Sequence, residues 1–225
     1  MPRKLILFLV EGITEEISFG MIFSELFHEM EIEFQIVHGD ITSSDDVNAR
    51  NIIKKISSEI DKFLAREHYN KSDILKVVHL VDTDGVYISD ENIIKSDRGR
   101  IYYSDQEILT TSPDYIRDRN NKKCRIINRL IKTSEINKLP YKIYYLSCNL
   151  EHVLHDNANV EREDKKVKAE EFENEFFGSE YEFIDFIRSD DLAAPGDYQD
   201  TWRFIKQEIN SLKRFCNLHL IFKDF

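Results

Sequence analysis

One stretch, residues 76–85, constrains the fold more than any other part of the chain; it reads Lys-Val-Val-His-Leu-Val-Asp-Thr-Asp-Gly. Its apolar and β-branched residues do not alternate with polar ones, which is typical of an interior strand covered on both faces in a parallel sheet. On a strand, side chains two residues apart point the same way, so Asp82 and Asp84 are predicted to project together, and Gly85 permits a sharp turn. Because two carboxylates about 4 Å apart repel each other, the pattern predicts a cation beside them.

A second apolar run, residues 4–10, ends in the same way, in Glu11 and Gly12. A helix is predicted to follow from the N-cap Thr14, then a strand over 32–37, a long amphipathic helix beyond 43–46, and the strand at 76. This alternation predicts an α/β fold with a parallel sheet of about four strands flanked by helices. Ligands of such sheets bind beyond the carboxyl ends of the strands, so we expect Glu11 to lie beside Asp82 and Asp84.

The alternation is interrupted after Gly85 by about 25 residues, a length that indicates a functional or locally ordered insertion. The sequence 112–114, Ser-Pro-Asp, then predicts a helix running to about residue 132, with many basic residues. A strand over 141–147 leads into a strand-to-helix step that carries Glu151, His152 and His155. The two histidines are interpreted as packing or hydrogen-bonding residues, since no third soft metal ligand is near them in the sequence.

The charge of the chain is uneven. Its net charge is -11, and residues 151–200 carry 16 acidic and 5 basic residues, so the remainder is neutral and compatible with nucleic-acid binding. We therefore predict an α/β domain over 1–150 and an acidic, mostly helical region over 151–225 that packs on it, with a last helix over about 199–215. The apolar run near the start is too short for a signal peptide or a membrane span, which predicts a cytoplasmic protein without membrane contact. The 3 cysteines have no C-x-x-C spacing, which argues against disulfides and structural zinc.

The pairing of Val10-Glu11-Gly12 with Val81-Asp82-Thr83-Asp84 resembles the Toprim fold, the catalytic domain of topoisomerases, bacterial primases and OLD-family nucleases. The resemblance covers residues 4–150. Two further stretches, Glu11-Gly12-Ile13-Thr14-Glu15 and Ser147-Cys148-Asn149-Leu150-Glu151, are most similar to the standalone RloB-like group associated with bacterial and phage defence. The chain has no room for strand-passage domains, no zinc module and no P-loop, so we expect a standalone Toprim-type protein that acts with a separately encoded partner.

The resemblance implies an enzyme with Mg²⁺-dependent (or Mn²⁺-dependent) phosphodiester chemistry on DNA or RNA. Asp82 and Asp84 would hold the metal, and Glu11 would complete its shell or act as general acid or base. Glu151 is a further candidate ligand. Mg²⁺ favours oxygen ligands and is usually bound by one or two carboxylates together with water and substrate phosphate. Three residues of the basic helix, Arg119, Lys123 and Arg125, are candidates for contacting the phosphate backbone.

Two other functions remain open. In a haloacid-dehalogenase-like phosphatase, Asp82 would be the nucleophile and Asp84 the acid or base, with a downstream acidic pair for which Asp190 and Asp191 are candidates. That family usually begins near its Asp-x-Asp strand, whereas two predicted strands precede it here. The third interpretation is a non-catalytic interaction module that binds a protein through its acidic helices.

Overall fold

A computed structural model of the chain describes residues 4–37 and 39–224. The strands are β1 (Leu5–Val10), β2 (Glu31–Ile36), β3 (Ile74–Asp82), β4 (Ile93–Lys95), β5 (Tyr102–Tyr103), β6 (Ile108–Thr110), β7 (Glu135–Ile136) and β8 (Leu139–Leu146). The helices are α1 (Ile13–Leu26), α2 (Ile52–Glu67), α3 (Pro113–Ile131), α4 (Leu150–His155), α5 (Lys165–Phe176), α6 (Glu180–Arg188) and α7 (Tyr198–Phe204). None of the helices within the described residues is long and apolar enough to cross a membrane.

The main sheet has the strand order β2-β1-β3-β8-β7. Strand β1 pairs in parallel with both β2 and β3, and Leu9 lies opposite Gln35 on one side and His79 on the other. Every residue of β1 is buried, as its unbroken apolar sequence predicts. The predicted α/β class with a mostly parallel sheet is confirmed. The strand order reverses between β1 and β3, the position at which open sheets of this class bind ligands.

The chain forms two compact units, each assembled from three segments. The first contains the residues through 81, 125–144 and 169–180, and the second contains 82–124, 145–168 and the residues from 181 onward. The sequence predicted a single domain boundary at residue 150, whereas the chain passes from one unit to the other several times.

Aromatic packing consolidates the first unit. The Phe8 ring lies 4.9 Å from that of Phe23 and 5.1 Å from that of Phe34, measured between centroids. Phe172, on α5, packs edge-on against Phe19 at 6.3 Å. Part of the acidic C-terminal region therefore packs against α1 through a phenylalanine.

The insertion after Gly85 is ordered in its own right. It contains the sheet β4-β6-β5, in which β4 is parallel and β5 antiparallel to β6. A separate apolar core supports it, made of Ile88, Ile93, Ile108, Ile116 and Leu212. The prediction of local order in this stretch is confirmed.

Two predicted helix ends were wrong. Helix α1 begins at Ile13 with Gly12 as N-cap, not after Thr14, because Glu15 Oε2 accepts a hydrogen bond from the Gly12 N–H at 3.2 Å. The last helix was predicted to reach residue 215, but α7 ends at Phe204. Glu208 has a φ of 47°, which an α-helix cannot contain, and short 3₁₀ turns follow at Asn210–Leu212 and Leu218–Lys223.

Candidate functional site

The Asp82–Gly85 turn is fixed by hydrogen bonds to the chain that leaves β8. The Thr83 N–H donates to the Leu146 carbonyl at 3.0 Å, and the Asp84 N–H donates to the Cys148 carbonyl at 2.7 Å. In return, the Cys148 N–H donates to Thr83 Oγ1 at 2.8 Å. The turn is therefore held at both of its middle residues.

Asp84 does not continue the strand. Strand β3 ends at Asp82, and Asp84 has a φ of 51° in the left-handed region. The alternation rule from which the sequence argument placed both carboxylates on one side therefore does not apply to Asp84. The two side chains nevertheless line one cavity, because the turn redirects Asp84 toward it.

The carboxylate of Asp84 is held by one fully buried group and one half-buried group. Lys123 Nζ lies 2.6 Å from Asp84 Oδ2, and the Lys123 side chain has no exposed surface. The Tyr103 hydroxyl donates to Asp84 Oδ1 at 3.3 Å. The cation predicted beside Asp84 from charge repulsion is therefore present as a side chain of the protein itself.

The basic residues predicted on α3 separate into three environments. Lys123 is buried against Asp84 and does not lie on the exposed face of the helix, so the structure gives it a role different from the predicted phosphate contact. Arg119 is half-buried and donates to the Asp84 carbonyl at 2.8 Å and to the Tyr103 hydroxyl at 3.1 Å. Arg125 is exposed, as a phosphate contact requires. Sequence alone could not distinguish them, since all three are basic residues of one helix.

Burial also determines the protonation of two neighbours of Asp84. Burial, and then the nearby charge of Asp84, raises the pKa of Tyr103, so its hydroxyl keeps its proton and acts as a hydrogen-bond donor. Burial, followed by the charges of Asp84 and Asp82, raises the pKa of Cys148 well above its ordinary value. Cys148 is therefore expected to be a neutral thiol and a poor nucleophile.

The aspartates open into a cavity of about 360 Å³, called here the aspartate cavity. Its lining combines both aspartates with cations, polar groups and further acids: Asp82, Asp84, Arg100, Ile101, Tyr103, Asn149, Ala158, Asn159, Val160, Glu161, Arg162, Glu163 and Lys165. Arg100 forms an ion pair with Glu161. Arg162 is exposed and forms no ion pair with any residue in the described parts of the chain.

The length of the insertion predicted a functional or locally ordered segment, but the sequence did not single out Arg100 or Tyr103. Their position in the sequence was the available indication, since both lie in the insertion that directly follows the aspartates. Lys165 and Arg162 were missed because they come from the acidic segment, where isolated basic residues indicate only a solvated surface.

Glu151 is buried at the start of α4, where its Oε2 lies 3.0 Å from Lys165 Nζ. Within the described residues it is not part of the lining of the aspartate cavity. Its predicted role as a metal ligand stays a prediction, and the structure adds a specific alternative, which is positioning Lys165 at the cavity wall.

Glu11 directly follows β1 and is half-buried, and its carbonyl accepts a hydrogen bond from the Gly39 N–H at 2.9 Å. Since β1 and β3 are parallel neighbours, both strands end at the same edge of the sheet. Glu11 belongs to the first unit and both aspartates to the second, so a shared metal site stays a prediction.

The carboxylates that line the aspartate cavity fit a weakly bound Mg²⁺ ion. Two carboxylates line one cavity, and Mg²⁺ is usually bound by one or two of them while water and substrate phosphate complete its shell. Residues 4–37 and 39–224 contain no group of three His, Cys, Asp or Glu side chains placed to hold a metal. Asp82 and Asp84 would therefore supply at most two carboxylate ligands to such an ion, and the metal stays a prediction.

Comparisons with protein-family models, curated proteins and solved structures found no match.

The acidic pair required by the phosphatase interpretation is not at a strand end: Asp190 and Asp191 are exposed, in the turn that follows α6.

Proposed function

We propose that the chain is a metal-dependent phosphodiester hydrolase that acts on nucleic acid, a standalone Toprim-type nuclease of bacterial or phage defence. The observation that carries the proposal is the aspartate cavity, in which two carboxylates from the end of an interior strand share a wall with Arg100, Arg162 and Lys165. Carboxylates with a divalent ion, next to cations that attract phosphate, are the components of metal-assisted phosphodiester hydrolysis.

When bound, the ion would neutralise charge on the phosphoryl group and lower the pKa of an attacking water. In the reaction a water oxygen forms a bond to phosphorus, the P–O bond to the leaving sugar oxygen breaks, and a phosphate monoester and a hydroxyl result. Asp82 and Asp84 would hold the ion. Glu11 is the proposed general acid or base.

Lys123 and Tyr103 would hold the Asp84 carboxylate in one orientation, since each binds a different carboxylate oxygen. A fixed carboxylate needs no reorganisation when charge develops at the phosphate. Arg162 is the first candidate for a direct phosphate contact, because Arg100 and Lys165 are each paired with a glutamate.

The test incubates the full chain with supercoiled plasmid, single-stranded DNA and tRNA, in Mg²⁺, in Mn²⁺ and in EDTA. We expect cleavage that requires metal and that Asp82→Asn and Asp84→Asn abolish. Asp118→Asn, an exposed carboxylate on α3, is the matched control and should cleave normally.

Folding of each variant is verified by circular dichroism. Cleavage that persists in both cavity variants would contradict the proposal. Hydrolysis of a generic phosphomonoester alone would favour the phosphatase, and inactivity on every substrate would favour an interaction module that binds a separate protein.

A further inference from the structure

A second cavity, of about 410 Å³, adjoins the aspartate cavity and is called here the histidine cavity. The two cavities share Tyr103, Ala158 and Asn159 in their walls. Asn159 is fixed in this partition, because its side chain accepts from the Tyr103 N–H at 2.9 Å and donates to the Tyr103 carbonyl at 2.7 Å. A nucleic-acid strand whose phosphate lies in the aspartate cavity would therefore have a neighbouring base or sugar within reach of the histidine cavity.

His152 lines this second cavity and is only 5% exposed. Among the described residues, its imidazole makes no hydrogen bond: Nδ1 is enclosed without a partner, and Nε2 lies 4.0 Å from Asp156 Oδ1, too far for a direct bond. Buried polar groups are nearly always hydrogen-bonded, so Nδ1 is an acceptor without a partner, and Nε2 is the nitrogen left to bond a group in the cavity.

A neutral imidazole at this position should carry its proton on Nε2. The enclosed Nδ1 has no acceptor for a proton, whereas Nε2 is the nitrogen nearer to Asp156. The cavity wall thus presents an N–H donor beside a carboxylate acceptor.

The remaining lining favours a ligand with N–H donors and disfavours an anion. It contains the carboxylates of Asp105 and Asp156 and, within the described residues, no lysine or arginine. A phosphate would be repelled there. Tyr102 and Tyr103 contribute aromatic residues to the same wall, which suits a planar ring.

Asp156 is held by the backbone at the end of α4. It is the C-cap of that helix, in the left-handed conformation with a φ of 55°, and its N–H donates to the His152 carbonyl at 3.0 Å. The fold therefore fixes the Asp156 backbone beside His152, and the exposed carboxylate is accessible to a ligand.

We propose that the histidine cavity is a subsite for a guanine base of the substrate. Guanine presents two adjacent donors, N1–H and the 2-amino group, that can bind one carboxylate, next to the acceptor O6. In this arrangement Asp156 accepts from both donors and His152 Nε2 donates to O6. Single-stranded nucleic acid exposes this edge of the base for hydrogen bonding.

The inference depends on the proposed nuclease function, but it is tested without catalysis. Isothermal titration of the full chain in EDTA compares GMP, IMP, AMP, CMP and UMP. GMP should bind about tenfold or more tightly than AMP, CMP and UMP, and IMP, which lacks the 2-amino group, should fall between them.

Two variants locate the site. Asp156→Asn keeps a residue that tolerates the left-handed conformation and should remove the preference for GMP over IMP. His152→Gln should weaken GMP binding about tenfold, and its fold is verified by circular dichroism. Asp191→Asn, an exposed carboxylate outside both cavities, is the matched control and should bind GMP as the parent chain does.

Equal affinity for all five nucleotides, no binding at millimolar concentration, or an unchanged GMP preference in Asp156→Asn would each overturn the subsite. Metal-dependent cleavage without any guanine preference would overturn the subsite and leave the nuclease in place. Selective GMP binding by a chain that cleaves nothing would retain the subsite and remove the nuclease.

Discussion

Lys123 and Asp84 form an ion pair of 2.6 Å in which the lysine side chain is wholly buried. The pair connects the middle of α3 to the turn that ends β3. Because the cost of dehydrating an ammonium is large, a lysine is buried in this way only when its charge has a close partner. The pair therefore makes the stability of the turn depend on the same carboxylate that the proposed reaction uses.

Removing Asp84 should destabilise the protein. Asp84→Ala leaves the Lys123 charge without this carboxylate, which should lower the free energy of unfolding by about 3 kcal/mol. Urea unfolding followed by circular dichroism measures the change. Asp84→Leu combined with Lys123→Met should lose less than the sum of the two single variants, and strict additivity would show that the pair is not coupled.

Gly85 should tolerate no side chain. It has a φ of +67°, and a Cβ at this position would lie 2.6 Å from Leu212 Cδ2. Gly85→Ala should therefore lower the free energy of unfolding by about 2 to 4 kcal/mol, combining backbone strain with overpacking. Gly99, with a φ of +76° and nothing within 4 Å, is the matched control. Gly99→Ala should cost about 1 kcal/mol, and equal losses in the two variants would contradict the packing explanation.

Arg162 and Arg125 provide a comparison between the cavity wall and the exposed face of α3. Arg162→Ala should weaken the binding of single-stranded DNA and reduce the salt dependence of that binding by about one phosphate contact. Fluorescence anisotropy at several salt concentrations measures both effects. Arg125→Ala tests the phosphate-backbone contact that the sequence predicted. If only Arg125→Ala weakened binding, the nucleic acid would follow the helix face and not the cavity.

His219 should make the protein less stable in mild acid. Burial, followed by the charges of Lys223 and Arg188, lowers its pKa from 6.5 to about 4. Below pH 6.5 the unfolded chain therefore binds a proton at His219, whereas the folded protein binds it only near pH 4. The free energy of unfolding decreases as the pH falls from 6.5 to about 4.

The expected loss from His219 is about 2 kcal/mol between neutral pH and pH 4.5. Urea unfolding at the two pH values measures it. His219→Gln cannot take up this proton, so its stability should change less over the same interval. A parent chain and variant with the same pH dependence would exclude His219 as the cause.

The order of strands and helices could be predicted from sequence because it depends on local pattern. The apolar run at 5–10 and the mostly apolar run at 77–81 are typical of the interior of a sheet, and the proline at 113 defines the start of α3. Both acidic strand exits were found in the same way. Helix ends were less predictable, since the end of α7 depends on the left-handed conformation of Glu208.

The sequence by itself determined that two carboxylates leave an interior strand and that a cation must balance them. Only the tertiary structure decided that Lys123 faces inward to Asp84 while Arg125 faces solvent, because both belong to one basic helix and differ only in what packs against them. The same holds for His152, whose cavity is formed by residues distant in the sequence. A chemical pattern along the chain specifies which groups are available, whereas burial and contact, which are properties of the folded chain, determine which of them meet.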